Sequence, residues 1–249
     1  MGMKTYVVHY SRNVQRKIDL ESDPRFKVLD DVTWIDWYDR EEPECEWTKT
    51  LCKSDLNGSM ISNTLKHMEA IRLFVNSHHE EMLLLEDDVV FQEGWYDKLH
   101  MALASYPDIR FLRLDCVMHI KYDGTIKIVD DWWPSEAQYM KKDFAKFLLR
   151  QVSFTLPYDN YVYSLMRNCS LPMLLLPVCN QTSLVNCKTS IESQPMGPGP
   201  PEYYDYGNLR IKLATLKAKK WEMEQKFVLK YGRNVDIRSL AYIEKNDLE

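Results

Sequence analysis

Short apolar runs and stretches with helical spacing alternate along most of this chain. Lys4 to Tyr10 carries Tyr, Val and Val in a run suited to a buried first strand, and Asn13 to Leu20 follows with helix-compatible polar spacing. Val32 to Trp37, rich in β-branched and aromatic residues, predicts a second strand, followed by a polar loop from Tyr38 to Glu46. From Ser59 to Phe74 the apolar positions Ile61, Leu65, Met68, Ile71 and Phe74 recur at three and four, the pattern of an amphipathic helix. Met82 to Leu85 is continuously apolar, as a strand covered on both faces of a parallel sheet would be. Trp95 to Leu103 predicts another helix, and Ile109 to Leu114 alternates as a strand with one polar face. Thr125 to Val129, Ala137 to Met140 and Met173 to Leu176 are short strand candidates, and Asp143 to Arg150 is a helix with Asp143 as its cap. The order of elements predicts an α/β fold, a mostly parallel sheet with helices on both faces.

The pattern breaks at Gln194 to Pro201, where Pro and Gly cluster, and resumes from Leu209 to Tyr231 as a Lys-rich helix. This divides the chain into a main domain over 1–193, a Pro/Gly-rich loop over 194–202 and a C-terminal helical segment over 203–249, expected to pack on the same domain.

Composition adds bounds. With 249 residues and 45% apolar content, the chain can bury a sizeable single core. A net charge of -5 argues against a general nucleic-acid binder, which carries a basic excess. No window has the apolar length of a membrane span, and the start shows no secretory pattern, so a cytoplasmic protein is expected. Six cysteines lie without close pairs or a partnering His, which supports neither a zinc site nor a disulfide scaffold. Without a secretory signal, the Asn-x-Ser/Thr triplets at Asn57, Asn168 and Asn180 read as chance matches. The oligomeric state stays open, a homodimer included.

The chemistry concentrates at Glu86-Asp87-Asp88, three carboxylates that directly follow the apolar run. In open α/β sheets ligands bind where strands end. Adjacent carboxylates near a protein interior stay ionised only if a cation or donors compensate them. Alternation along extended chain would point Glu86 and Asp88 one way and Asp87 the other, with Mn²⁺ or Mg²⁺ as the expected cation. An acidic surface turn would show the same three residues. No Gly-rich phosphate loop, Gly-x-Ser-x-Gly or His-Glu-x-x-His is present, so several common enzyme classes lose support; a nucleotidyltransferase, which usually needs a Gly-rich loop and a Lys, stays a rival class.

Several segments, in order across residues 3–182, resemble glycosyltransferase family 25, which includes lipooligosaccharide and procollagen galactosyltransferases. Tyr6 to Arg16 is similar to the family's first strand and Arg-bearing turn, Leu65-Lys66-His67 to the end of its helix before the acidic motif, and Leu84 to Val89 to its Glu-Asp-Asp hallmark. Ala137-Gln138-Tyr139, Ala145-Lys146, Pro157-Tyr158-Asp159 and Pro177 to Gln181 resemble its later motifs. Ser59, Met60, Ser62 and Lys66 depart from the pattern, standing where the family has Gly, Glu, Gly and Ser.

The resemblance implies a GT-A fold, a Rossmann-like sheet that binds a nucleotide sugar at its carboxyl edge, and a metal-dependent glycosyltransferase, an enzyme that moves galactose or glucose from a UDP-sugar to a hydroxyl of a glycan or protein acceptor, with inversion. Glu86 and Asp88 would hold the metal, and His9, Tyr10, Arg12, Arg16, His67, Asp87 and Gln181 would contact the nucleotide sugar. Asp159 would be the catalytic base, with a helix cap for Asn160 to Met166 as its alternative reading. Ordinary surface positions for Arg12 and Arg16, a structural role for His67 and core packing for Tyr10 are the competing readings. Trp132-Trp133 is a candidate surface for stacking on an acceptor sugar. A catalytically weakened, nucleotide-sugar-binding or scaffold relative is the alternative function.

Overall fold

In the computed structural model, residues 2–115, 125–129, 136–181 and 204–231 are described, by backbone alone at 181 and 224–231. Trp132, Trp133 and the Pro/Gly-rich loop at 194–202 lie outside the described residues. The strands are β1 (Lys4–Val8), β2 (Val32–Ile35), β3 (Glu81–Glu86), β4 (Val89–Phe91), β5 (Phe111–Asp115), β6 (Lys127–Ile128), β7 (Ala137–Lys141) and β8 (Leu174–Gln181). The helices are α1 (Val14–Ser22), α2 (Pro43–Leu51), α3 (Gly58–Val75), α4 (Trp95–Ser105), α5 (Lys142–Leu149), α6 (Tyr158–Asn168) and α7 (Tyr206–Tyr231).

The strands form one sheet in the order β2-β1-β3-β7-β5-β8-β4, with β6 also paired to β8. β1, β2, β3, β5 and β8 run one way, and β4, β6 and β7 oppose them. The mostly parallel α/β class expected from the sequence is therefore observed, with one feature the sequence did not announce. β7 is inserted antiparallel between β3 and β5, with Leu85 opposite Ala137 and Arg113 opposite Gln138. The register of β8 against β5 shifts between Leu175 and Cys179, a stretch that contains Pro177, a residue unable to donate to a ladder.

Apolar residues of β3 point to both faces. Leu83 and Leu85 join Val7, Leu112, Leu114, Tyr139 and Val178 in a core that also takes Leu20 of α1 and Trp95, Leu99 and Ala102 of α4. The opposite face is covered by α3, which packs on β1 and β3 and against α2, α5 and α6. Within α3, Ile61, Leu65, Met68, Ile71 and Phe74 are all buried, as their spacing predicts. Asn57 caps this helix by accepting from the Met60 N–H at 3.0 Å, which gives the first Asn-x-Ser triplet a structural role. Gly94 begins α4 with φ +64°, in the left-handed region that glycine enters without strain.

Three local expectations are corrected. The polar loop expected from Tyr38 to Glu46 gives way to α2, which opens on Pro43 with Glu44 and Glu46 in its first turn and Lys49 in its last. Those are the charges a helix dipole favours. β5 has no solvated polar face, since Arg113 is buried and donates to Asp115 at 2.7 Å. Asp143 is not the cap of α5; Lys141 occupies that place, and the Asp143 carboxylate accepts from the Phe144 N–H at 2.8 Å.

Two compact units divide the chain, Met1–Leu209 and Arg210–Glu249. Tyr204 pairs with Val152, and the Tyr206 ring is fully buried beside Leu65 and Glu69, so the first unit runs past the Pro/Gly-rich stretch to Leu209. Among the described residues no helix is long and apolar enough to cross a membrane.

Candidate functional site

β1 and β3 are parallel and in register from Lys4 opposite Met82 to Val8 opposite Glu86, so both end at the same edge of the sheet. His9 and Tyr10 leave β1 there, and the acidic residues leave β3. Asp87 and Asp88 form the turn between β3 and β4, fixed on one side by β1 and β7 and on the other by β8. This edge opens into a cleft walled among others by His9, Tyr10, Arg16, Asn63, Glu86 and Asp87.

The turn changes where the carboxylates point. Asp87 Oδ2 lies 2.7 Å from His9 Nδ1 and accepts weakly from the Tyr10 N–H at 3.4 Å. Its Oδ1 accepts from Arg16 Nη1 at 2.9 Å, and the same nitrogen lies 3.4 Å from Asp88 Oδ2. Asp87 and Asp88 thus share one guanidinium. The strict alternation expected of extended chain fails because residues 87 and 88 are in a turn. Burial opposes the charge on Arg16, but Asp88, then Asp87, outweigh it and raise its pKa.

Glu86 faces the other way, toward α3 and α6. Its Oε1 accepts from Asn63 Nδ2 at 3.0 Å and lies 3.4 Å from His67 Nε2. His67 is fully buried and stacks on Tyr158, ring centroids 3.9 Å apart. Its Nδ1 lies 2.9 Å from the Asn63 carbonyl, which can only accept, so Nδ1 carries the hydrogen and Nε2 is an acceptor. Burial lowers the His67 pKa to about 4. Burial first, then Asp88 and Asp159, push the Glu86 carboxyl well above its ordinary value. Both shifts favour the uncharged forms of Glu86 and His67, although His67 Nε2 makes no hydrogen bond among the described residues.

α6 begins beside this pair, with Pro157 as its N-cap and Asp159 in its first turn. Asp159 is half-buried, and its negative charge acts on Glu86, Glu136 and Tyr158. It belongs to the same electrostatic cluster as the acidic turn. Gln181, the last residue of β8, pairs by its backbone with Val89, next to Asp88.

The floor of the cleft rests on a buried cation. Lys66 Nζ donates to the His9 carbonyl and to Asp39 Oδ1, and Ser11 Oγ donates to Asp39 Oδ2. Burial opposes ionisation of Asp39, but Lys66 and Ser11 more than offset it and hold its pKa low. Tyr38, at φ 65°, turns the chain into Asp39, and its carbonyl accepts from Ser62 Oγ at 2.6 Å. Two of the departures from the family pattern, Ser62 and Lys66, therefore carry structural bonds.

At the mouth, Arg40 lies over the Tyr10 ring, 4.8 Å from its centroid, and Tyr10 Oη donates to Glu41 at 2.6 Å. Arg12 stands apart, exposed and 3.9 Å from Glu41, and does not line the cleft.

Two further carboxyls reach this edge. Asp115 ends β5, and Glu136 precedes β7, where its carbonyl accepts from the Glu86 N–H at 2.8 Å. Burial, then Asp115 and Glu86, raise the Glu136 pKa far above normal, and its side chain hydrogen-bonds to Asp115. The strand-end rule that singled out Glu86 would have found both, but each is a lone acid in the sequence.

Glu86 and Asp88, which the resemblance implies would hold a divalent metal, face different neighbours. Glu86 and Asp88 do not converge on one vacant point, because Glu86 is engaged by Asn63 and His67 while Asp88 is next to Arg16. Among the described residues no group of three His, Cys, Asp or Glu is disposed to hold a metal ion.

No protein-family model matches the chain, and no curated protein is similar to it at a significant level. Solved structures similar to it include A197 from STIV, at 11% identity and a TM-score of 0.47, covering 72% of this chain and 83% of that one. Another is a glycosyltransferase involved in the glycosylation of the major capsid of PBCV-1, at 11% identity and a TM-score of 0.37, covering 67% of this chain and 66% of that one.

Proposed function

We propose that the chain is a glycosyltransferase that takes a sugar from a nucleoside-diphosphate donor to a hydroxyl of a glycan or protein acceptor. The observation that carries this reading is the acidic turn Asp87-Asp88 and its Arg16 partner, set in the wall of a cleft at the carboxyl edge of parallel strands. That edge is where α/β sheets of this kind take their ligands. The ordered likeness to family 25 motifs supports the GT-A form of the reading, and points to UDP and to galactose or glucose.

Breaking the bond from sugar C1 to phosphate leaves charge on the departing diphosphate, and Arg16 offers a planar donor suited to phosphate oxygens. Asp159 is the candidate base for the acceptor hydroxyl, since it lies in the acidic cluster and in the first turn of α6, apart from the Glu86 carboxyl that Asn63 engages. His9 and Lys66 act behind the surface, holding Asp87 and the end of β1 in place.

The test is a panel of nucleotide sugars, with and without Mn²⁺, read by release of nucleoside diphosphate. Release with one donor is the expected result, and no binding or turnover with any donor overturns the proposal. An Asp159→Asn protein that binds donor and turns over at the wild-type rate removes Asp159 from the base role.

A further inference from the structure

The acidic turn is expected to recruit a divalent cation, yet it already contains a monovalent one. Arg16 Nη1 lies 2.9 Å from Asp87 Oδ1 and 3.4 Å from Asp88 Oδ2, so a single nitrogen stands between the two carboxylates. The contact is built rather than incidental. Asp87 and Asp88 are almost fully buried, and Arg16 keeps only 24% of its side chain accessible, on the side that lines the cleft. His9 Nδ1 holds the second oxygen of Asp87, and His9 is itself pinned through its carbonyl by Lys66. α1 carries Arg16 in its first turn and is anchored by Leu20 in the core, so the guanidinium is delivered by a packed helix.

We propose that Arg16 takes the place of the divalent cation at Asp87-Asp88, and that this protein binds the diphosphate of its ligand through the guanidinium without a metal ion. A metal entering between these carboxylates would have to displace a half-buried cation of the same sign and leave it beside the ion. A guanidinium has five N–H donors in a fixed fork, and one nitrogen spent on Asp87 leaves others for phosphate oxygens. The ligand class is the diphosphate of a nucleotide, which deepens the glycosyl-transfer reading and rests on it. The metal half of the inference does not need that reading.

Mn²⁺ binding to the full chain, followed by electron paramagnetic resonance of the free ion, decides the cation with no enzymatic readout. The wild type is expected to leave Mn²⁺ free at concentrations up to about 1 mM. Arg16→Met, which empties the place between the carboxylates, is expected to bind Mn²⁺ about tenfold or more tightly than wild type. Arg16→Lys keeps a cation and is expected to behave as wild type. Micromolar Mn²⁺ binding by the wild type, abolished in Asp88→Asn, overturns the inference; that result needs no folded Arg16 variant. Where a donor is turned over, a rate unchanged in EDTA supports the proposal, and a rate lost in EDTA and restored by Mn²⁺ overturns it. Failure to turn over any donor counts against glycosyl transfer, while the Mn²⁺ measurement on resting protein still decides the cation.

Discussion

Glu86 and Lys66 show how differently one buried charge is treated from another. Lys66 is charged, buried and fully engaged by Asp39 and the His9 carbonyl. Lys66→Met leaves the Asp39 carboxylate buried without its cation, a change expected to cost about 3–5 kcal/mol in urea unfolding. Pairing it with Asp39→Asn is expected to recover a large part of that loss. Because the Asp39 pKa is held low, its contribution is present above the ordinary carboxylate range and is lost as the solution becomes acidic. Glu86 has the opposite sign. A carboxyl whose pKa is raised by folding adds stability that is complete below its unfolded value and lost as pH rises through the folded value. Glu86→Gln keeps an oxygen for Asn63 and adds an N–H that suits His67 Nε2. It is therefore expected to unfold at higher urea than wild type at about pH 8, by about 1 kcal/mol, with a smaller gain near pH 5. An equal or lower midpoint at pH 8 would contradict a raised Glu86 pKa in the folded chain.

At the scale of the element, the cap of α3 matters because this helix brings Asn63, Lys66 and His67 to the cleft. Asn57→Ala removes the acceptor for the Met60 N–H and is expected to cost about 1 kcal/mol, read as a lower thermal midpoint. Most elements were legible in the sequence because their apolar residues follow one period without interruption, as in α3 and β3. α2 was not, since its acidic first turn and lone Pro read as loop until its buried Cys45 and Thr48 are seen on one side. The direction of β7 was hidden for a different reason: antiparallel pairing with β3 and β5 is decided by residues far away in the chain. At the site, the Glu86-Asp87-Asp88 run and the placement of His9 next to it were legible from strand ends, and Arg16 from the resemblance to an Arg-bearing turn. The engagement of Arg16 by both aspartates was not, because it depends on how α1 returns along β1. Asp115 and Glu136 were missed because neither has an acidic neighbour in sequence to mark it.

For the molecule as a whole, the end of the first unit can be tested by truncation. A chain ending at Leu209 keeps the Val152–Tyr204 pairing and the buried Tyr206 ring, whereas one ending at 203 loses both. Burying one such ring is worth about 1.5–3 kcal/mol, so the shorter chain is expected to melt markedly lower than the longer one. Equal melting temperatures would place the boundary before Tyr204.

The reversed strand β7 sets the order in which this site comes together. Because it starts at the edge where β3 ends, it returns Glu136 to Glu86 from far along the chain, and with it Asp115 of β5. Such long-range pairing is late to form, as much loop must close before it is rewarded. Burial and neighbouring carboxylates raise the pKa of Glu86 and of Glu136 above the ordinary carboxylate value once they meet. Formation of the cleft is therefore linked to proton uptake, and refolding in weak buffer a little above the ordinary carboxylate range, followed with an indicator dye, should turn alkaline in step with the slowest folding phase.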